Sequence, residues 1–219
     1  MRLNWSHQKA LFNPLHAKPV TLIGAGSVGS NIALLLARQG IEDLLVLDAD
    51  EVASHNVPMS AYRPCDVGRP KVEALHDLVR EATALKIGAV GNWYTDQPLR
   101  GTVIASVDTM DARSAIWKTV RMNPAVDILI DTRLYERYGE VYFVRPCLPE
   151  DMLAYEARLY PQDTTVKRTC GNHGIAFMAN LVASLAVAGL TDAWAGDKTG
   201  FAKRLFLGDP PRLETVNAT

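Results

Sequence analysis

Short apolar runs alternate with helical patterns along the first part of the chain. Residues 20–23 are apolar or β-branched, which predicts a buried parallel strand, and residues 31–38 predict a helix that ends near Gly40. A second apolar run at residues 44–47 predicts another strand. Because a helix joins the two strands, we expect a βαβ unit and a Rossmann-like α/β fold, with a mostly parallel sheet flanked by helices.

The same alternation continues to the end of the chain. A proline-containing loop fills residues 51–70, and a helix with an apolar stripe begins near Lys71. Further strands are predicted at residues 87–90, 102–107, 128–130 and 140–144, and further helices at residues 110–120 and 175–188. We therefore expect a single domain over residues 1–219, with a core at about 18–135 and a C-terminal extension with additional strands at about 136–219.

Carboxylates follow three of the predicted strands at the points where those strands end. Asp48 and Asp50 follow the strand at 44–47, Asp108 follows the strand at 102–107, and Asp131 follows the strand at 128–130. In open α/β sheets, ligands bind in the crevice outside the carboxyl ends of the strands. The positions of these acids therefore predict a ligand site at that edge of the sheet.

Composition and charge narrow the class of protein. Of the 219 residues, 48% are apolar and 21% are charged, and the formal net charge is -1. We therefore expect a soluble globular protein with neither a nucleic-acid nor a membrane partner. The N-terminal residues lack the apolar core of a signal peptide, and the three cysteines are widely spaced. These features favour the cytoplasm and argue against a disulfide framework or a structural zinc site.

A glycine-rich turn joins the first predicted strand to its helix. Gly24 permits a tight turn, Gly26 lets a phosphate approach the backbone, and Gly29 lets the helix pack closely on the strand. The helix N-terminus offers N–H groups and the positive end of its dipole to an anion. Asp48 has the spacing of an acceptor for ribose hydroxyls, so the pattern predicts a nucleotide site that suits NAD as well as ATP.

The residues after the second strand distinguish an ATP site from an NAD site. Asp48 and Asp50 are followed by Asn56, and then by Lys71 in the motif DVGRPKVEA. This pattern resembles the superfamily of ubiquitin-activating enzymes and their bacterial relatives ThiF and MoeB. The resemblance implies that Asp48 holds the ribose of ATP, while Asp50, Asn56 and Lys71 surround its triphosphate. Ser27 stands where the family usually carries glycine, and its backbone N–H can still bind phosphate.

A later pair of residues extends the resemblance. Asp108 and Arg113 are similar to the family's Asp-x-x-x-x-Arg, which implies that Asp108 helps to hold Mg²⁺ and ATP. Asp50 is expected to join it, because Mg²⁺ prefers oxygen ligands and bridges phosphate oxygens. Lys71 is our candidate for the catalytic cation. Three simpler interpretations stay open: Lys71 as a solvated lysine at a helix start, Asp108 as a helix N-cap, and Asn56 as a turn residue.

Two departures from the family pattern affect the expected site. Met59 and Ser60 stand where ThiF and MoeB carry Arg-Gln, so a phosphate-binding arginine is missing. Arg63, or Arg2 reaching across a dimer, is our candidate for its replacement. The family's zinc-binding cysteine pairs are also missing, and only Cys147 remains near the position of one of them, so we expect no zinc.

Cys170 precedes the last predicted helix in a stretch similar to the Cys-x-x-x-Gly-Val segment of ThiF, whose cysteine takes part in sulfur or acyl transfer. A helix N-terminus or His173 beside it would favour the thiolate. An equally good interpretation is a small apolar residue that closes the start of the helix. Cys65 has no comparable support, and the residues define no role for Asp131 and Arg133.

The resemblance implies an enzyme that uses ATP and Mg²⁺ to adenylate a carboxylate, with Lys71, Asp108, Arg63 and Cys170 as candidate catalytic residues. The expected partner is a ubiquitin-like or sulfur-carrier protein with a C-terminal glycine, and the expected assembly is a homodimer. Within the family, a small molecule or a tRNA-attached carboxylate is an alternative substrate. Outside it, the alternatives are an NAD-dependent oxidoreductase and a nucleotide-binding module that has lost turnover.

Overall fold

The computed structural model describes residues 3–161, 175–196 and 200–218. Its strands are β1 (Val20–Ile23), β2 (Leu44–Leu47), β3 (Gly88–Val90), β4 (Gly101–Ala105), β5 (Val126–Leu134), β6 (Tyr138–Val144), β7 (Ala202–Phe206) and β8 (Arg212–Val216). Its α-helices are α1 (Ser27–Arg38), α2 (Lys71–Thr83), α3 (Met110–Val120), α4 (Pro149–Glu156) and α5 (Ala176–Ala195). The eight strands form one sheet in the order β3-β2-β1-β4-β5-β6-β7-β8.

The first five strands form the parallel part of the sheet. β1 pairs in parallel with β2 on one side and with β4 on the other, and β3 and β5 continue the sheet outwards. The chain therefore adds β2 and β3 on one side of β1 and then crosses to the other side of β1, where it adds β4 and β5. Such a reversal opens a crevice at the carboxyl ends of the two central strands. The predicted Rossmann-like α/β class is confirmed.

The last three strands form an antiparallel extension, in agreement with the additional C-terminal strands predicted from the sequence. β5 is longer than predicted, because its final residues pair with β6 after β4 has ended. Asp131 lies beside Ala105, the last residue of β4, and the β5–β6 pairing continues as far as Leu134. Asp131 is therefore inside a strand, and its predicted position at a strand end is wrong. The division near residue 135 stays a prediction.

Helices cover both faces of the sheet and bury two apolar cores. α1, α2 and α5 pack on one face, and residues of α3 and α4 pack on the other. Among the described residues, α5 is the one helix whose length and mean hydropathy of 1.5 would allow it to cross a membrane. Its contacts with α1, β5 and β6 identify it as a core helix, as the sequence predicts.

Candidate functional site

A cavity of about 860 Å³ lies in the crevice at the carboxyl ends of β1, β2 and β4. Its walls are the glycine turn after β1, the residues after β2, the loop after β3, the start of α3 and the end of β5. The lining includes Gly24, Gly26, Ser27, Asp48, Asp50, Asn56, Lys71 and Asp108. The structure thus brings together the residues predicted to bind a nucleotide, apart from Gly29, which packs behind the turn.

The backbone of the turn explains why glycines are needed. Gly24 has a φ of +94°, and a Cβ there would lie 2.2 Å from the carbonyl oxygen of Ser106. A Cβ at Gly29 would lie 2.0 Å from the carbonyl oxygen of Gly24, so the close approach of α1 to the turn requires glycine. At Gly26 a Cβ would meet no described atom within 4 Å. The space beside the N-terminus of α1 is therefore open to an anion.

Asp48 is buried and fastens the end of β2 to the glycine turn. Its Oδ2 accepts the backbone N–H of Ala25 at 2.6 Å, and its Oδ1 accepts the backbone N–H of Asp50 at 2.9 Å. Burial raises the pKa of Asp48, although the ammonium group of Lys71 and these two N–H groups act in the opposite direction. Asp48 therefore holds the turn in shape, whatever ligand contacts it makes.

Lys71 is a buried lysine held by two carboxylates. Its Nζ lies 2.7 Å from Oδ2 of Asp50 and 3.8 Å from Oδ1 of Asp48, and 9% of its side chain is exposed. Its backbone N–H donates to the carbonyl of Asp50 at 2.9 Å, which places the start of α2 beside the end of β2. Lys71 does begin α2, but the alternative of a solvated lysine is wrong. Its ammonium group is one of the positive charges of the cavity lining and is paired with Asp50.

A 3-10 helix at Ser54–Met59 forms a further wall of the cavity. The side-chain oxygen of Asn56 accepts the backbone N–H of Ala53 at 2.9 Å, so Asn56 stabilises this turn and also lines the cavity. His55 and Met59 line the cavity as well. Sequence reasoning missed His55, because an isolated histidine in a loop carries no spacing that marks it as a site residue.

Asp108 is exposed on the cavity wall, just before α3. The N-cap of α3 is Thr109, whose side chain accepts the backbone N–H of Ala112 at 3.2 Å, so the alternative of Asp108 as the cap is wrong. Asp50 and Asp108 share the cavity, but the described residues contain no group of three or more His, Cys, Asp or Glu that could hold a metal. A Mg²⁺ ion here would therefore need phosphate oxygens among its ligands.

Asp131 does not belong to the cavity lining; it lies at the centre of a buried ion cluster. It accepts hydrogen bonds from Nε of Arg113 at 2.8 Å, from Nε of Arg133 at 2.9 Å and from the hydroxyl of Tyr155 at 3.2 Å. Burial raises the pKa of Tyr155 well above its ordinary value, and the Asp131 carboxylate adds to this shift. The prediction that Asp131 joins the strand-end ligand site is therefore wrong, because β5 continues past it and its side chain turns toward α3 and α4.

Arg63, the proposed replacement for the missing arginine, also lies away from the cavity. Arg63 is outside the cavity lining, and its guanidinium is held by Asp66 at 3.1 Å and by Glu81. The structure therefore argues against Arg63 as the phosphate-binding residue. Arg2 and Cys170 lie outside the described residues, so their predicted roles stay predictions. Among the described residues, Cys65 and Cys147 are exposed free thiols.

The loop after β3 supplies part of the cavity that the sequence did not indicate. Asn92, Trp93 and Tyr94 line the cavity, and the Trp93 side chain is 65% exposed. The backbone N–H of Asp48 donates to the carbonyl of Val90 at 3.2 Å, which ties this loop to the end of β2. The sequence feature that could have indicated this part of the cavity is the position of the loop after a predicted parallel strand, because ligands bind at the carboxyl ends of such strands.

Comparisons with known proteins bear on the family and the fold of this chain. Ubiquitin-like modifier-activating enzyme 5 of Caenorhabditis elegans is 38% identical over 155 residues, covering 62% of this chain and 36% of the relative. The crystal structure of PaaA has a TM-score of 0.73 at 19% identity, covering 93% of this chain and 65% of PaaA. MccB of E. coli, solved with AMPCPP and MccA, has a TM-score of 0.73 at 16% identity, covering 94% of this chain and 65% of MccB. These two structures share the fold.

The family model settles the assignment. The model of the ThiF family matches residues 6–218, which include every strand of the sheet and all cavity-lining residues. The resemblance inferred from the motif around Lys71 is therefore confirmed, and the chain belongs to the ThiF family.

Proposed function

We propose that this chain binds ATP and Mg²⁺ in the cavity and adenylates the C-terminal carboxylate of a ubiquitin-like or sulfur-carrier protein. The observation that carries the proposal is the buried Lys71, held between Asp48 and Asp50 in the same cavity as the glycine turn. Adenylation brings an anionic carboxylate to an anionic phosphate. It therefore requires positive charge at the place where the two groups meet.

The relatives support ATP and a protein or peptide substrate. The Caenorhabditis elegans relative is named as an activating enzyme for a ubiquitin-like modifier, and MccB has been solved with ATP and with MccA. This chain spans only about a third of the first of these proteins and about two thirds of the second. ATP use, adenylation and the substrate are therefore all parts of the proposal.

In the proposed reaction, a carboxylate oxygen of the substrate attacks the α-phosphorus of ATP and forms the new P–O bond. The bond from this phosphorus to the bridging oxygen breaks, and pyrophosphate leaves with the electron pair. The N-terminus of α1 and the ammonium group of Lys71 stabilise the phosphate charge, Asp48 orients the ribose, and Asp50 with Asp108 would hold Mg²⁺. Mg²⁺ supplies further positive charge at the phosphate oxygens.

Simple measurements distinguish two other functions from the proposed adenylation. An NAD-dependent oxidoreductase would use the glycine turn and Asp48, but it gives no role to the ion pair of Asp50 and Lys71. A nucleotide-binding module without turnover is favoured by one observation, the thioether of Met59 in the cavity wall. Calorimetric titration with ATP, ADP and NAD distinguishes the oxidoreductase, and pyrophosphate exchange distinguishes the module.

The decisive experiment is ATP–pyrophosphate exchange in the presence of purified carrier proteins that end in glycine. We expect carrier-dependent exchange that falls by about 100-fold or more in Lys71→Ala, because a buried charge at the reacting phosphates is lost. Lys86→Ala is the matched control, since Lys86 is an exposed lysine outside the cavity lining. Exchange that survives Lys71→Ala would remove Lys71 from the mechanism. ATP binding without any exchange would favour the module.

We further propose that the protein acts as a cytoplasmic homodimer. The large apolar side chains of Phe177 and Leu181 on α5 are exposed, which suits a contact between two subunits. Light scattering after size-exclusion chromatography tests the assembly. A monomer at micromolar concentration, both with and without ATP, would contradict the dimer.

A further inference from the structure

The cavity has an unfavourable charge balance for a nucleotide triphosphate. Its described lining contains four carboxylates (Asp48, Asp50, Glu51 and Asp108) and two fixed cations (Lys71 and Arg113). With His55 neutral, this gives the lining a formal charge of −2. A polyphosphate that enters such a cavity needs additional positive charge close to its own oxygens.

Both fixed cations are already engaged by protein groups. Lys71 lies 2.7 Å from Asp50, and Arg113 donates to Asp131 at 2.8 Å and to the carbonyl of Thr132 at 2.9 Å. Arg113 is also 1% exposed, so it offers little surface to a ligand. His55 is the remaining basic side chain of the described lining, and it is exposed. Among the described residues, the imidazole of His55 makes no hydrogen bond or ion pair.

The segment that carries His55 is fastened to the place where phosphates are expected. The backbone N–H of Ala61 donates to Oγ of Ser30 in the first turn of α1 at 3.1 Å. The hydroxyl of Tyr62 donates to the carbonyl of Ala25 in the glycine turn at 2.7 Å. These bonds hold the 3-10 helix of His55 beside the N-terminus of α1, where a phosphate meets free N–H groups.

We propose that His55 is a phosphate-binding residue that contacts the terminal phosphates of ATP as an imidazolium. This inference rests on the proposed function, because it requires ATP in the cavity. It assigns to His55 the role that the sequence led us to expect of Arg63. Histidine side chains in general change their charge between about pH 5 and 8, so the test of this inference compares ATP binding at two pH values.

Other groups in the cavity also influence this charge. The titratable and charged side chains that line the cavity with His55 are Asp48, Asp50, Glu51, Lys71, Tyr94, Asp108 and Arg113. A comparison of His55 variants at the same pH therefore isolates the imidazole from its neighbours and from the protonation of the nucleotide itself.

The test is calorimetric titration with ATP and with AMP, in the presence of Mg²⁺, at pH 6.0 and pH 8.0. The proteins are wild type, His55→Gln and His55→Arg. The matched control is His76→Gln, because His76 is a histidine on α2 outside the cavity that pairs with Asp77. Since His55 is exposed, these variants are expected to fold, and circular dichroism checks this.

We expect His55→Gln to weaken ATP binding about tenfold at pH 6.0 and about twofold or less at pH 8.0, as the loss of a charged hydrogen bond predicts. AMP binding should stay within about twofold, since AMP lacks the terminal phosphates. The ratio of the ATP affinities of His55→Arg and His55→Gln should be the same at both pH values, because the guanidinium keeps its charge. Equal ATP affinity of wild type and His55→Gln would overturn the inference alone. So would an equal loss with AMP, or the same loss in His76→Gln. Wild-type protein that binds no ATP would overturn the proposed function as well.

Discussion

The ion cluster around Asp131 makes a quantitative prediction about stability. Asp131, Arg113, Arg133 and Tyr155 are each at most 3% exposed, and the two guanidinium groups lie 2.8 and 2.9 Å from the carboxylate. In Asp131→Asn, a neutral amide replaces the charge that compensates two buried cations. Removal of one partner of a buried ion pair costs about 3–5 kcal/mol, so we expect the free energy of unfolding to fall by about this amount.

Equilibrium unfolding in urea, followed by circular dichroism, measures this loss. A slope of about 2 kcal/mol per molar urea is typical of a small protein, so the midpoint should fall by about 1.5–2.5 M. The matched control is Asp127→Asn on the same strand. Asp127 pairs with Lys18 at 3.1 Å, but these side chains are 47% and 50% exposed. An exposed pair contributes about 0–1 kcal/mol, so Asp127→Asn should barely move the midpoint.

The comparison separates charge compensation from the shape of the side chain. Both variants replace an aspartate of β5 with an asparagine of nearly the same size. If the two variants lose the same stability within about 1 kcal/mol, the reasoning is wrong, and the cluster does not stabilise the fold through the Asp131 charge. A change in the slope of the urea transition would mean that the unfolded or folded state had changed its compactness.

Three further predictions concern the turn and the cavity. Gly29→Ala should abolish ATP binding, since its Cβ would lie 2.0 Å from a carbonyl oxygen of the turn. In the control Gly91→Ala, the Cβ would lie 3.9 Å from its nearest neighbour, so ATP binding should stay intact. Calorimetric titration with ATP measures both variants. Burial raises the pKa of Asp48 above 3.8, so the folded state binds this proton more tightly than the unfolded chain, and the contribution of Asp48 to the free energy of unfolding falls as pH rises above about 4. Urea unfolding between pH 4 and 6 should show that the free energy of unfolding of Asp48→Asn, taken relative to wild type, rises with pH, and a difference that stays constant would contradict this assignment. Arg63→Ala should keep ATP affinity within about twofold by calorimetry, because Arg63 lies outside the cavity, and a larger loss would restore its predicted role.

Much of the site could be predicted because its determinants are local in the sequence. The apolar runs specify β1 and β2, and the turn between β1 and α1 depends on glycines whose spacing is visible in the chain. The carboxyl ends of parallel strands meet at one edge of a sheet, so Asp48 and Asp108 were expected to come together. Lys71 could be added only through the family resemblance, because nothing local shows that a lysine at a helix start is buried.

The remaining features depend on contacts between distant parts of the chain. The ion pair of Arg113 and Asp131 joins α3 to β5, and no periodicity in either segment reveals it. His55 was overlooked for a similar reason, since its position in the cavity follows from the bonds that tie its loop to α1. Pairing of this kind becomes visible only when the sheet brings the segments together.

The path of the backbone after each strand determines which carboxylates can contact a ligand in the crevice. After β2 and β4 the chain leaves the sheet, so Asp48, Asp50 and Asp108 line the crevice. After the level of Ala105, β5 stays in the sheet because β6 continues to pair with it, and Asp131 is covered by the residues of α3 and α4. The antiparallel extension therefore converts an acid at a potential ligand site into a structural counter-ion for two arginines. The charge of the cavity is set by this topology as much as by the acids that the sequence contains.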